Sequence, residues 1–174
     1  TGRRVAARLS EAGIPVRAVS RSSEIPFDWE KPETWDAALD GVGAAYVSYY
    51  PDLAVPGAAE TVDAFAKRAL EKGVKRLVLL SGRGEEGAEH AEQLLMQSGA
   101  DWTILRADWF FQIFSEAFFL DAILAGELAL PVGDVREPFI DVEDIADVAF
   151  VTLTQPGHAG RAYTLTGPRS MRFD

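Results

Sequence analysis

Apolar residues along the chain recur at two spacings, and the change from one spacing to the other predicts helices and strands in turn. Val5, Leu9 and Ala12 recur on one face of a helix that Gly13 ends. The sequence RLVLLS at residues 76–81 is a continuous apolar run that enters a Gly-rich turn. Such a run is typical of a strand covered on both faces, as in a parallel sheet.

The same patterns predict the remaining elements. Further strands are predicted at residues 16–19, 25–27, 44–47 and 102–106, and helices around Trp35, over residues 62–70, over 88–95 and over a Phe-rich stretch at 109–124. Beyond residue 128 we expect strands near 128–130, 139–140 and 163–165, with a helix over 142–153.

Strands that alternate with helices through short connections favour an α/β fold with a doubly wound parallel sheet of the Rossmann type. We expect residues 1–127 to form the NAD(P)-binding portion and residues 128–174 to form part of a smaller substrate-side region of the same compact unit. In such a fold the first strand feeds a Gly-rich turn that opens the first helix. Because Thr1 and Gly2 already begin a helix, the sequence predicts that the first strand and the start of this turn precede Thr1, and that the chain continues beyond Asp174. An ordinary helix start is the alternative for this dipeptide.

Composition narrows the classes of function. The 174 residues are 48% hydrophobic and include 17 Lys and Arg against 27 Asp and Glu, which gives a net charge of −10. A surface of that sign repels nucleic acid. The chain contains no cysteine and only two histidines, which argues against a metal site. No apolar run is long enough to span a bilayer, and no signal-peptide pattern is present. We therefore expect a soluble, cytoplasmic protein without nucleic-acid or membrane partners.

Six motifs, in order along the chain, carry a family resemblance. They are TGRRV at 1–5, VRAVSR at 16–21, FDW at 27–29, GVKRLVLLS at 73–81, SGADWTILR at 98–106 and FIDVEDIADVA at 139–149. Together they resemble the NmrA-like atypical short-chain dehydrogenase/reductase family, near the ergot-alkaloid-type dehydrogenase branch. Ala107 departs from the family pattern, which has a proline at this position.

The resemblance implies an NAD(P) site. Arg21 ends the second predicted strand, where a guanidinium pairs with the 2′-phosphate of NADP and an acidic residue would favour NAD. NADP is therefore the expected cofactor, with NAD as the alternative. The other candidate cofactor-binding residues are Gly2, Asp28, Trp29, Ser48, Tyr49, Tyr50, Ser81 and Gly82. Alternatives remain open: Arg21 as a solvated surface residue, Asp28 as the cap of the next turn, and the tyrosines as packing residues.

The acid/base pair of the wider superfamily, Tyr-x-x-x-Lys, has no counterpart in this chain. When the sequences are aligned on Ser98 and Gly99, Gly84 and Ala88 occupy the Tyr and Lys positions. Acidic residues surround them: Glu85, Glu86, Glu89 and Glu92. The catalytic residues are therefore unknown, and Ser81 without a base is interpreted as a strand-end hydrogen-bonding residue. Asp141 is predicted to cap the following helix, and His90 to be solvated.

The candidate substrate pocket consists of Tyr49, Trp109, Phe110 and Phe139. Aromatic side chains at the carboxyl edge of the sheet can line a flat apolar pocket. We expect an NAD(P)H-dependent oxidoreductase that reduces a small planar electron-poor substrate, of the iminium or quinone type, by hydride transfer without a Tyr/Lys dyad. The alternative is a non-catalytic NAD(P)-sensing regulatory protein that acts through a protein partner. A fragment that binds nothing is a third hypothesis.

Overall fold

The computed structural model describes residues 1–173 and is built around a four-stranded parallel sheet with the order β1-β2-β3-β5. The strands are β1 (Ala44–Val47), β2 (Arg76–Gly82), β3 (Asp101–Ala107), β4 (Arg136–Glu137), β5 (Arg161–Leu165) and β6 (Met171–Arg172). The helices are α1 (Gly2–Glu11), α2 (Trp35–Leu39), α3 (Ala58–Glu71), α4 (Glu86–Gln97), α5 (Leu120–Leu124) and α6 (Val142–Thr154). Strands β4 and β6 form a separate antiparallel pair. The predicted α/β class and parallel sheet are confirmed.

Helices cover both faces of the sheet, as the apolar run in β2 predicts. Leu77 and Leu79 belong to a core that also contains residues of α3 and α4. Val78, which points to the opposite face of the strand, belongs to a second core with residues of α1 and α6. All three side chains are fully buried. None of the helices in residues 1–173 is both long and apolar enough to cross a membrane.

Helix α6 begins where the sequence predicts. The Asp141 carboxylate accepts a hydrogen bond from the backbone N–H of Glu143 at 2.8 Å, which satisfies one of the free donors of the first turn. The capping interpretation of Asp141 is therefore confirmed.

The strands predicted at residues 16–19 and 25–27 are wrong. The part of the chain that the structure describes has only an isolated bridge there, between Ser20 and Pro26. Val16 and Val19 remain 38% and 36% exposed. Strand β1 is the edge of the sheet next to this segment, and no described strand lies between them. An extended segment without a neighbour to pair with forms no ladder.

The Phe-rich helix predicted at 109–124 is also wrong. Residues Phe111–Ile113 form a single 3₁₀ turn, and α5 covers only Leu120–Leu124. Between them, aromatic rings pack on one another, with Phe114 lying 5.6 Å from both Phe119 and Phe139. Residues 128–130, predicted as a strand, pair with no other strand. At residues 139–140 the predicted strand is reduced to an isolated bridge between Phe110 and Ile140.

Candidate functional site

A large cavity lies between β1 and residues 16–21 and reaches the start of α1. Its volume of about 1370 Å³ includes the open groove along the unpaired edge of β1, from Lys75 and Asp101 at the amino ends of the strands to Ser48 beyond the carboxyl end of β1. Six of the nine predicted cofactor-binding residues line it, namely Gly2, Arg21, Asp28, Trp29, Ser48 and Tyr50. Ser48 and Tyr50 mark the part of the cavity at the carboxyl edge of the sheet, where ligands bind in doubly wound folds.

The first turn of α1 presents free hydrogen-bond donors to this cavity. No side chain caps the helix, and a Cβ added at Gly2 would meet no atom within 4 Å. The free N–H groups and the positive end of the helix dipole together favour an anion. Tyr46 of β1, absent from the predicted site, also lines the cavity. Its hydroxyl is buried near Thr1, and burial raises the pKa of Tyr46 to about 12, with the contact to Thr1 acting in the opposite direction. These groups fit a phosphate-bearing ligand.

Arg21 lies in a serine-rich turn at the mouth of the cavity. The backbone N–H of Ser20 donates to Ser23 Oγ at 2.8 Å, and that of Ser22 donates to Ser20 Oγ at 3.3 Å. The Arg21 guanidinium carbon lies 5.4 Å from the centre of the Tyr50 ring. Among the described residues no carboxylate forms an ion pair with Arg21, so its N–H groups remain free for a ligand. Ser20 and Ser22 were not among the predicted site residues, although the sequence SRSS at 20–23 combines a guanidinium with hydroxyls, a set that suits phosphate.

Asp28, Trp29 and Tyr49 are held by local packing beside the cavity. The Asp28 carboxylate accepts from the backbone N–H of Glu30 at 3.1 Å, as the capping alternative predicts. The Trp29 ring lies 4.7 Å from Phe27 and 5.1 Å from Tyr49. Asp28 and Trp29 line the cavity, whereas Tyr49 packs behind Trp29 and does not line it.

Ser81 and Gly82 lie outside this cavity. The Ser81 hydroxyl donates to Glu92 Oε1 at 2.5 Å, and Arg106 donates to Glu92 Oε2 through Nη2 at 2.6 Å and Nε at 2.9 Å. A Cβ at Gly82 would lie 2.3 Å from the Glu85 carboxylate. The Glu85 carboxylate is the far end of an exposed side chain, and the predicted contact between Gly82 and a cofactor stays a prediction. Burial, followed by the charge of Asp52, raises the pKa of Glu85 above its ordinary value.

Glu92 is not part of the exposed acidic surface of α4 suggested by the sequence. It is 1% exposed and links α4 to β2 and β3 through Ser81 and Arg106. The sequence contains a signal for the burial of Glu92, because its position shares the spacing of one helix face with the apolar residues Ala88, Ala91 and Leu95. Ala88 is fully buried on the same face. His90 is exposed, with Nε2 3.9 Å from Glu60, as its solvated interpretation predicts.

Three of the four predicted substrate-pocket residues follow or adjoin β3, and Tyr49 lies apart on Trp29. Trp109 and Phe139 share one aromatic cluster through Phe173, whose ring lies 5.4 and 4.9 Å from theirs. Phe110 pairs with Ile140 and packs against the α1/α6 core. A substrate pocket formed by these residues stays a prediction. Trp109, at 43% exposure, is the member of this set that offers most surface to a ligand.

The fold and the site define a Rossmann-type nucleotide-binding protein. No protein-family model matches the chain. It is 30% identical over 192 residues to the NAD(P)H azoreductase of Xenophilus azovorans, covering 98% of this chain and 65% of that protein. It is 30% identical over 191 residues to festuclavine synthase II of Penicillium roqueforti, covering 99% of this chain and 67% of that protein. The chain belongs to the NmrA-like atypical short-chain dehydrogenase/reductase family.

A solved structure agrees with the fold. The triphenylmethane reductase of Citrobacter sp., complexed with NADP(H), superposes with a TM-score of 0.70 at 20% identity, over 97% of this chain and 59% of that one. At this identity the likeness concerns the fold alone. The chain spans between about half and two thirds of the length of the curated relatives it matches.

Proposed function

We propose that the protein is an NADP(H)-dependent oxidoreductase that transfers a hydride to a small planar electron-poor acceptor of the iminium or quinone type. The observation that carries the proposal is the convergence of Gly2, Arg21 and Tyr50 on one cavity beside the free N-terminus of α1. The names of the relatives support it, since one is an NAD(P)H azoreductase and a structural neighbour is a reductase complexed with NADP(H).

Two groups that line the cavity suit different parts of the dinucleotide. The first turn of α1, open at Gly2, would bind the pyrophosphate through backbone N–H groups. Arg21, next to Ser20, would bind the 2′-phosphate. When bound, NADPH supplies the hydride, and the protein supplies its position and the surrounding charges.

The proposed acceptor classes follow from the residues around β2. Gly84 and Ala88 offer no acid/base group, and the Ser81 proton is already donated to Glu92. An iminium carbon that accepts a hydride becomes a neutral amine and needs no proton. A quinone accepts a hydride and then one proton, which water can deliver to the stabilised phenolate. Both acceptors are compatible with a site that lacks the Tyr/Lys dyad.

Cofactor oxidation tests this proposal. The full-length protein is incubated with NADPH and a panel of quinones and cyclic iminium ions, and absorbance at the nicotinamide band is followed. We expect oxidation that depends on acceptor and enzyme, with one equivalent of acceptor reduced per NADPH. Tight NADP binding without oxidation of NADPH by any acceptor of the panel would instead support the sensing alternative. In that alternative a protein partner recognises the cofactor-bound form of the protein.

Arg21→Ala is expected to weaken NADP binding about ten- to hundredfold, because a charge-assisted hydrogen bond is worth roughly 1.5–3 kcal/mol. NAD, which has no 2′-phosphate, should bind the variant about as well as it binds the wild type. Calorimetric titration of both cofactors measures the ratio. Arg161→Ala is the matched control, since it removes an exposed positive charge at the opposite, amino end of β5. An unchanged ratio in Arg21→Ala would identify Arg21 as a solvated surface residue.

Ser81→Ala is expected to leave kcat/KM within about tenfold of wild type, because Ser81 has no Tyr or Lys to assist. The hydroxyl stabilises Glu92, so its loss should appear in the melting temperature instead. Steady-state kinetics with the best acceptor of the panel, beside a thermal melt, separate the two effects. A several-hundredfold loss of kcat/KM would reveal an acid/base role for Ser81.

A further inference from the structure

Tyr50 and Arg21 meet across the mouth of the cavity although they lie on different segments. Tyr50 follows β1, whereas Arg21 follows residues 16–19. The guanidinium carbon lies over the Tyr50 ring, 5.4 Å from its centre. Within residues 1–173, no ring–ring contact accompanies this one at Tyr50, and 66% of the residue is exposed.

The geometry leaves the hydrogen-bonding edge of Arg21 free. The attraction between a guanidinium and a ring face needs no hydrogen bond, and the Arg21 side chain has no hydrogen-bond or ion-pair partner among residues 1–173, so its N–H donors remain available. The contact also restricts a side chain with several rotatable bonds, which reduces the entropy lost when a ligand binds. The contact therefore prepares Arg21 for an anion at the cavity mouth.

We propose that Tyr50 is a specificity-determining residue, which favours NADP over NAD by holding Arg21 in position for the 2′-phosphate. Tyr50 acts through Arg21 and requires no contact of its own with the cofactor. This inference rests on the proposed function, because it requires NADP to bind in this cavity.

A double-mutant cycle tests it. NADP and NAD are titrated calorimetrically into full-length wild type, Tyr50→Phe, Tyr50→Leu, Arg21→Ala and Tyr50→Leu/Arg21→Ala. Tyr50→Phe keeps the aromatic ring and removes only the hydroxyl, whereas Tyr50→Leu keeps an apolar side chain and removes the ring. Since 66% of Tyr50 is exposed, both single variants should remain folded, and their melting temperatures verify this.

Tyr50→Leu is expected to weaken NADP binding about two- to fivefold, the range for an exposed cation–π contact, and to leave NAD binding essentially unchanged. Tyr50→Phe should retain the wild-type ratio. In the Arg21→Ala background, Tyr50→Leu should cause no further loss of NADP affinity.

The inference would be overturned if Tyr50→Leu weakened the binding of NADP and NAD equally. It would also be overturned if Tyr50→Leu reduced NADP affinity as much in the Arg21→Ala background as in the wild type. In both cases NADP binding itself, and with it the proposed function, would stand. If the wild-type protein binds neither cofactor, the proposed function and this inference fall together.

Discussion

Glu92→Ala is expected to lower the free energy of unfolding by about 2–4 kcal/mol, because it removes the centre of a buried network. Glu92 is 1% exposed and accepts hydrogen bonds from Ser81 and from both Nε and Nη2 of Arg106. Its removal leaves the Ser81 hydroxyl without this acceptor and the Arg106 guanidinium without its counter-charge. The side chain of Arg106 is 37% exposed and can regain water, which keeps the cost below that of a fully buried charge.

Denaturant unfolding of the full-length protein measures this change. Glu86→Ala is the matched control, since Glu86 lies on the same helix but is exposed, and it should alter stability by less than about 0.5 kcal/mol. Arg106→Ala should reproduce much of the loss, and the double variant should lose less than the sum of the single ones. Equal stabilities of the Glu86 and Glu92 variants would contradict the structural role of this network.

Adding a short apolar strand and a Gly-rich turn ahead of Thr1 is expected to raise the free energy of unfolding of the polypeptide. The increase should amount to most of the stability of a whole domain. Strand β1 has one edge without a ladder, and this edge faces the cavity opposite residues 16–19. A strand in that groove would pair with β1 on one side and residues 16–19 on the other, and would bury several apolar side chains at ~1.5–3 kcal/mol each. It would fill the part of the cavity along β1 and leave the carboxyl end of the strands, beside Gly2, Arg21 and Tyr50, to the ligand. A domain of this size is stable by only about 5–15 kcal/mol in all.

Thermal melts of two polypeptides test the expectation. The one limited to residues 1–174 should unfold without a cooperative transition and show no shift with NADP. The one that carries the strand and turn should melt cooperatively and be stabilised by NADP, while an extension of equal length rich in Gly and Ser should have no such effect. A cooperative melt of residues 1–174 with a normal NADP shift would show that the groove needs no strand and that Gly2 is not at a pyrophosphate turn.

The candidate site was predictable where a residue's place in the topology determines its surroundings. Residues at the carboxyl ends of strands meet at one edge of a parallel sheet, which is why Ser48 and Tyr50 line the cavity with Gly2. Ser81 and Gly82 lie outside the cavity, with the Ser81 hydroxyl bonded to Glu92 of α4 and Gly82 next to the Glu85 carboxylate just before α4. Their contacts with a cofactor stay predictions.

The sequence by itself determined the sheet type, the start of α6 and the family. The uninterrupted apolar run in β2 requires cover on both faces, and the Asp141 cap is a contact within three residues. Both are local signals, carried by neighbouring residues.

Only the tertiary structure decided that residues 16–19 form no strand, that Glu92 is buried and that Arg21 contacts Tyr50. A strand needs a partner strand, a buried carboxylate needs a guanidinium from another element, and a cation–π pair needs two loops to meet. Each depends on segments that are distant along the chain, so periodicity and propensity within one segment do not specify it.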